Sequence, residues 1–392
     1  MPLPGPIILL HMDYLQQSFS VTFDYRVYFT TALFDIANPL LENFFLDKKV
    51  EGEKRKIIVI ADQQVADHHP NLLPQVTAYF GTYKTVQLVK DILLIPGGEI
   101  AKNNPEHFDR IVDAINDYGI DRHSYVAAIG GGSILDLAGY AAAVSHRGIK
   151  HIRIPTTVLS QNDSGVGVKN GVNYKNKKNF LGTFAPPVAV FNDYNFLITL
   201  SDRNWRSGIS EAIKVSLIKD AAFFEWMEAH AAKLVARDKP SMEYLIKHCA
   251  KLHMEHIASG DPFESGSSRP LDFGHWSAHK LEQLTNFEVM HGEAVAMGIA
   301  LDSIYSYLSG RLPEVAYQRI LTLLKKLGFT LFHPMMSVEK ADSPIILGLQ
   351  EFQEHLGGQL TIMLLGSIGS GEEVHEMDYE LLKEAGRKLQ LA

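Results

Sequence analysis

The chain has 392 residues, 46% of them hydrophobic and 21% charged, with a formal net charge of −8 and a sequence pI near 6.1. That length exceeds one ordinary core and suits two domains, and the acidic balance repels polyphosphate backbones, which argues against a nucleic-acid partner and confines any phosphate to a local basic pocket. The single cysteine, Cys249, excludes an internal disulfide and reads as a small buried hydrophobe; residues 1–14 lack a signal-peptide pattern and no apolar run reaches the roughly 18 residues of a membrane span, so the expectation is a cytoplasmic protein without membrane contact.

Along the chain, residues 18–30 alternate and favour β structure. KIIVIAD (56–62) is a short buried strand ending in Asp62, and KDILLIPGGE (90–99) is a second one ending in a Gly-Gly turn. FDRIVDAINDYGI (108–120) has helical spacing with a glycine stop. SYVAAIGGGS (124–133) is a third strand running into glycines, ILDLAGYAAAVSH (134–146) a small-residue helix, and HIRIPTTV (151–158) a fourth strand. This alternation predicts a parallel sheet with helices on both faces, a Rossmann-like α/β unit. Residues 165–193, with N-G and P-P punctuation, predict hairpins and a loop rich in lysine and asparagine. From Asp202 the pattern turns helical, so the domain boundary is placed near residue 200: 1–200 an α/β unit, 201–392 a mainly helical one, with the active site in the cleft between them.

Gly130-Gly131-Gly132-Ser133 follows a strand and opens a helix. Glycine lets backbone approach a phosphate closely, and the helix N-terminus offers free N–H donors. A plain tight turn would look the same, and Leu135 stands where the dinucleotide fingerprint needs its third glycine. Asp62, at a strand end, is either a turn former or a ribose ligand.

His275 and His279 are four apart and share a helix face, His291 opens another helix, and Glu211 and Lys214 share a third face. One carboxylate and two imidazoles make a three-ligand site for zinc or a similar ion with a position left open. Among 17 histidines, chance pairs at this spacing are also expected. His68, His69, His248, His253 and His256 carry no pattern beyond packed or solvated side chains.

GGEIAK (97–102), GGGSILDLAG (130–139), RGI (147–149), IPTT (154–157), DSGVGVK (163–169), KKNFLGTF (177–184), the Glu211–Lys214 pair, FGHxxxH (273–279) and HGEAVAMG (291–298) stand in the order and spacing of 3-dehydroquinate synthases. The chain resembles that superfamily of sugar-phosphate cyclases well over residues 55–300, and SRPLDFGHWSAHKLE (268–282) is similar to its EboD-type dehydroquinate-synthase-like branch. The resemblance implies a Rossmann-like nucleotide-binding domain followed by an all-helical metal-binding domain. It implies NAD as cofactor, touched by Asp62, Glu99, Lys102, Gly131, Gly132, Ser133, Asp136, Thr156, Thr157 and Thr199, with Lys178 beside them. It implies a divalent metal, zinc or cobalt, on Glu211, His275 and His291. Around a phosphorylated sugar substrate it sets Lys169, Asn179, Lys214 and His279, with Arg147 reaching in from a second subunit of a homodimer; Asp163 faces the ring being built, and Glu264 joins the catalytic set.

Four positions depart from the family pattern. Ser268 stands in place of an arginine, with Arg269 one place away and followed by Pro270; Asp272 replaces an asparagine, Met254 a lysine, and Ser370 a C-terminal lysine. In the family these cations hold the substrate's carboxylate. A bidentate Arg–carboxylate pair contributes about 1.5–3 kcal/mol, so an acidic substrate loses at least about tenfold, and an ionised Asp272 would repel it. The expectation is a heptulose 7-phosphate with a neutral chain; the alternatives are a true 3-dehydroquinate synthase rescued by Arg269, or a metal-dependent polyol dehydrogenase of the same fold.

Overall fold

The computed structural model describes residues 14–48, 55–175, 177–259, 263, 271–339, 343–355 and 360–392. Strand β1 (Arg26–Thr30) precedes helix α1 (Leu40–Asp47). Strand β2 (Lys56–Asp62) leads into α2 (Gln63–His68) and α3 (Leu72–Thr82), followed by β3 (Gln87–Leu88), β4 (Leu93–Ile95) and α4 (Pro105–Asp117). Then come β5 (Tyr125–Gly130), α5 (Gly132–Val144), β6 (Lys150–Pro155), the hairpin β7 (Lys169–Tyr174) and β8 (Lys177–Phe184), and β9 (Ala189–Asp193).

The main sheet runs β1-β9-β6-β5-β2-β3, with β4 also on β2, and every pairing in it is parallel. Its central strands are apolar at successive positions because both faces are covered. Ile57, Val59 and Ala61 pack with α1 and α3 on one face, while Ile58 and Ile60 pack with α4 and α5 on the other. Residues 18–30 become a strand only from Arg26, where β9 offers a partner of five residues. The strand expected over 90–99 shrinks to Leu93–Ile95, since the chain must turn at Gly98, whose φ is +85°.

The rest is α6 (Asp202–Ser207), α7 (Ile209–Lys219), α8 (Ala221–Val235), α9 (Lys239–Ala258), α10 (His275–Leu284), α11 (His291–Leu308), α12 (Glu314–Lys326) and α13 (Pro344–His355), the hairpin β10 (Ile362–Ser367) and β11 (Ser370–Val374), and α14 (Tyr379–Leu391). These helices share one apolar core. The hairpin was not expected, because a short apolar run such as TIMLLG reads equally as strand or buried helix; its turn docks on α7, where Gly369 N donates to Leu217 O at 2.8 Å. Among the described residues no helix is long and apolar enough to cross a membrane.

Candidate active site

Helix α7 is buried on all sides, and Glu211 on its first turn is 0% exposed. A carboxylate in such a place requires compensation. Lys214, one turn on, lies 2.5 Å from Glu211 Oε2. Toward the other oxygen come two imidazoles: His291 Nε2 at 3.2 Å from Glu211 Oε1, from the start of α11, and His275 Nε2 at 3.6 Å, from the start of α10. Neither Glu211 oxygen accepts a hydrogen bond of good geometry from the described residues. One donor atom from each of Glu211, His275 and His291 falls within 4.8 Å of the others, so three ligand atoms of the right chemistry converge on one point. The donor set fits a divalent cation.

Both imidazoles are oriented from behind. His275 Nδ1 donates to Phe273 O at 3.2 Å, and His291 Nδ1 to Glu282 Oε2 at 3.0 Å, which leaves each Nε2 facing Glu211. Glu282, also buried, receives Lys178 Nζ on its second oxygen at 2.7 Å. Burial opposes ionisation of Glu282, yet Lys178 and His291 hold it well below the usual carboxylate range. His291 is likewise opposed by burial, but Glu282 and Glu211 push its pKa up to about 9. For His275 the balance falls the other way: burial, with Lys214 adding to it, outweighs Glu211 and Asp272 and pushes it down to about 4. His279 packs its ring against both, with centroids 5.3 Å from His275 and 5.8 Å from His291.

On the sheet side, Gly131 begins α5 with no side-chain cap on its first N–H groups. Two buried hydroxyls without a hydrogen-bond partner among the described residues, Thr156 Oγ1 and Ser164 Oγ, lie around this turn, and a Cβ on Gly132 would sit 2.7 Å from Ser164 Oγ. Free helix N–H groups, orphaned hydroxyls and no side chain in the way fit a cofactor phosphate. Asp136, in α5, pairs with buried Lys102 at 2.8 Å; Glu99 is 3.7 Å from the same ammonium, which also donates to Asn179 Oδ1. Asn179 and Lys178 are neighbours on β8. A chain of contacts therefore runs from the glycine turn through Asp136, Lys102 and Asn179 to Lys178, Glu282 and His291.

The remaining positions are distributed as follows. Asp163 sits in a π-turn (160–164), with His253 Nδ1 3.4 Å away. Lys169 opens β7 and is exposed. Thr157 bonds Ser160 Oγ at 2.8 Å, and Ser133 stands on the first turn of α5. Asp62 spends one oxygen capping α2 through Gln64 N at 2.9 Å. Thr199 is exposed and bonds His69 Nε2 at 2.9 Å. Arg147 is exposed beyond α5 and pairs with no carboxylate among the described residues. Glu264, Ser268, Arg269 and Pro270 lie outside the described residues. Cys249 is buried.

Glu282, His253 and Arg153 take part without having been singled out in the sequence. For Glu282 a signal existed, since residues 275, 279 and 282 share one face of α10. Arg153, 0% exposed, donates to the carbonyls of Gly167 (2.6 Å) and Lys169 (2.8 Å) and to Asn170 Oδ1 (2.7 Å), and so shapes the loop between Asp163 and Lys169.

A parallel α/β sheet joined to a helical unit that gathers one glutamate and two histidines defines the class: a dehydroquinate synthase-like fold with a candidate metal centre. The chain belongs to the 3-dehydroquinate synthase family. The family's N-terminal model matches residues 92–207 and its C-terminal model residues 208–346. A 3-dehydroquinate synthase of Zymomonas mobilis is 34% identical over 328 residues, 83% of this chain and 85% of that protein. Among solved structures, ValA, a 2-epi-5-epi-valiolone synthase from Streptomyces hygroscopicus with NAD+ and Zn2+ bound, superposes with a TM-score of 0.86 at 28% identity, covering 96% of this chain and 99% of that one. A 2-deoxy-scyllo-inosose synthase complexed with carbaglucose-6-phosphate, NAD+ and Co2+ gives 0.76 at 25% identity, covering 92% and 96%.

Proposed function

We propose that this protein is a cytoplasmic, homodimeric sugar-phosphate cyclase that uses NAD catalytically and one divalent metal, zinc or cobalt, to convert a heptulose 7-phosphate with a neutral chain into a carbocycle and inorganic phosphate. The observation that carries the reading is the continuous set of contacts from the glycine turn to His291, which brings a nucleotide-type turn and a three-ligand cation site to one hairpin. The cyclases of similar structure, one with NAD+ and Zn2+ and one with NAD+ and Co2+, support it.

When bound, the nicotinamide supplies reversible hydride exchange and the cation Lewis acidity. The chain's own groups do the rest. Glu211, His275 and His291 would hold the cation, and the glycine turn, Thr156, Thr157, Ser133 and the Lys102–Asp136–Glu99 group would hold the cofactor. Lys169, Lys214, Asn179 and His279 would meet the substrate phosphate; Lys214 stays protonated, since burial is outweighed by Glu211 and Asp163. Asp163 would accept hydrogen bonds from substrate hydroxyls, and Arg147 of a second subunit would complete the phosphate pocket. Met254 and Asp272 disfavour a substrate carboxylate.

The test is inorganic phosphate release by the zinc-loaded, NAD-supplemented protein from sedoheptulose 7-phosphate and, separately, 3-deoxy-arabino-heptulosonate 7-phosphate. A preference of at least about tenfold for the first is expected from the lost charge-assisted pairing; release from the second alone would make the protein a true 3-dehydroquinate synthase. Lys169→Ala should raise the substrate KM by about 10-fold or more, the value of one charge-assisted hydrogen bond. An unchanged KM would remove Lys169 from the phosphate pocket.

A further inference from the structure

Asp302 lies on α11 and is 0% exposed. Its two oxygens are each used once: Oδ2 accepts from Gly274 N and Oδ1 from Trp276 Nε1, both at 3.0 Å. Those two residues flank His275. Among the described residues no lysine, arginine or histidine pairs with this carboxylate, and burial, against the two donors, pushes its pKa up to about 7. A buried carboxylate without a cation is a costly way to fill a core position that an apolar side chain could occupy. What the carboxylate provides is geometry on both sides of one metal-ligand candidate.

The helix pattern gives the same answer. Asp302 stands 11 residues after His291, about three α-helical turns, so both project from the same side of α11. Gly298 lies between them on that side, and a Cβ there would come 2.0 Å from Gly274 O. Gly274 itself has φ +77° and would drive a Cβ to 2.6 Å from Ile299 N. The backbone of residues 273–275 thus lies directly on α11, held by Asp302. This segment includes Phe273 O, the acceptor that sets which nitrogen of His275 faces Glu211.

We propose that Asp302 is a positioning residue for the metal centre: by gripping Gly274 and Trp276 it fixes His275 relative to His291, which the same helix carries, and so sets the affinity for the cation. The inference rests on the reading of Glu211, His275 and His291 as the metal ligands. Outer residues that orient metal ligands typically govern affinity by about 10- to 100-fold.

The test needs no substrate. Metal-free parent, Asp302→Asn and Trp276→Phe proteins are titrated with Zn2+ against a chromophoric chelator and with Co2+ by visible absorption, and the melting temperature of each metal-free protein is recorded. Asparagine keeps one acceptor but presents N–H to the other donor. Asp302→Asn should therefore weaken binding of both metals about 10- to 100-fold and alter the Co2+ spectrum. Trp276→Phe keeps the Gly274 bond and should show a smaller loss. A lower melting temperature with parental metal affinity would reduce Asp302 to a core contact and overturn the inference. Should Asp302→Asn not fold, parental affinity in Trp276→Phe would overturn it equally. A parent protein that binds no metal would instead sink the metal reading itself.

Discussion

Glu211→Gln is expected to be purified without metal and to lose at least about a thousandfold in phosphate release, because a Lewis-acid cation contributes several kcal/mol of charge stabilisation and each 1.4 kcal/mol is tenfold. The amide keeps the shape of the side chain but removes the charge on which His275, His291 and Lys214 converge. It also leaves the Lys214 ammonium buried without its partner, and breaking a buried pair from one side costs about 3–5 kcal/mol. The melting temperature should therefore fall together with the metal content. The two effects separate in Lys214→Met, which removes the ammonium and keeps the ligands: metal measured by elemental analysis should stay near one per chain while activity falls. Full metal occupancy in Glu211→Gln would contradict the assignment of this carboxylate as a ligand.

Glu282→Gln carries the second large effect, and it should appear in stability and in metal affinity together. Glu282 is 3% exposed and its two oxygens do different work, one taking the Lys178 ammonium at 2.7 Å and the other the His291 N–H at 3.0 Å. Neutralising it strands Lys178, with an expected loss of about 3–5 kcal/mol by urea denaturation. It also puts a neutral amide oxygen, a weaker acceptor, behind the His291 ring in place of the carboxylate, with metal affinity expected to drop about 10- to 100-fold. A double-mutant cycle with Lys178→Met resolves the parts. Removing both charges should recover much of the stability, since no unpaired buried ion remains, but not the metal affinity, since His291 still lacks the carboxylate charge behind its ring. Recovery of both would mean that Glu282 acts only through Lys178.

These two carboxylates also mark how far the chain could be read without its structure. Glu211 was legible because it stands three residues before a lysine inside a family pattern, with two histidines at recognisable spacing further on. Glu282 stands on the same helical face as His275 and His279, so its direction was legible but its task was not: the partner Lys178 is 104 positions away on a hairpin. His253 looked like any packed histidine until the π-turn brought Asp163 to within 3.4 Å. Asp302 is 28 residues from the backbone N–H that it accepts, and nothing in HGEAVAMGIALD tells which neighbour that side of α11 will meet. The family resemblance puts Asn179 in the phosphate pocket, and in the structure it accepts from Lys102, which the same resemblance puts at the cofactor.

What the amino-acid sequence determined by itself is what periodicity and local chemistry can carry: the buried parallel strands, the glycine turn opening α5, the helical second part, and the faces on which Glu211, Lys214, His275 and His279 lie. Each of these depends on residues within a few turns of one another, where the 3.6- and 2-residue repeats apply. Only the tertiary structure decided which faces meet. The convergence on Glu211, the Lys178–Glu282–His291 link, the grip of Asp302 on the segment around His275 and the hairpin β10–β11 docking on α7 all join residues far apart in the chain. Such contacts are selected by the packing of the whole core and not by any local pattern.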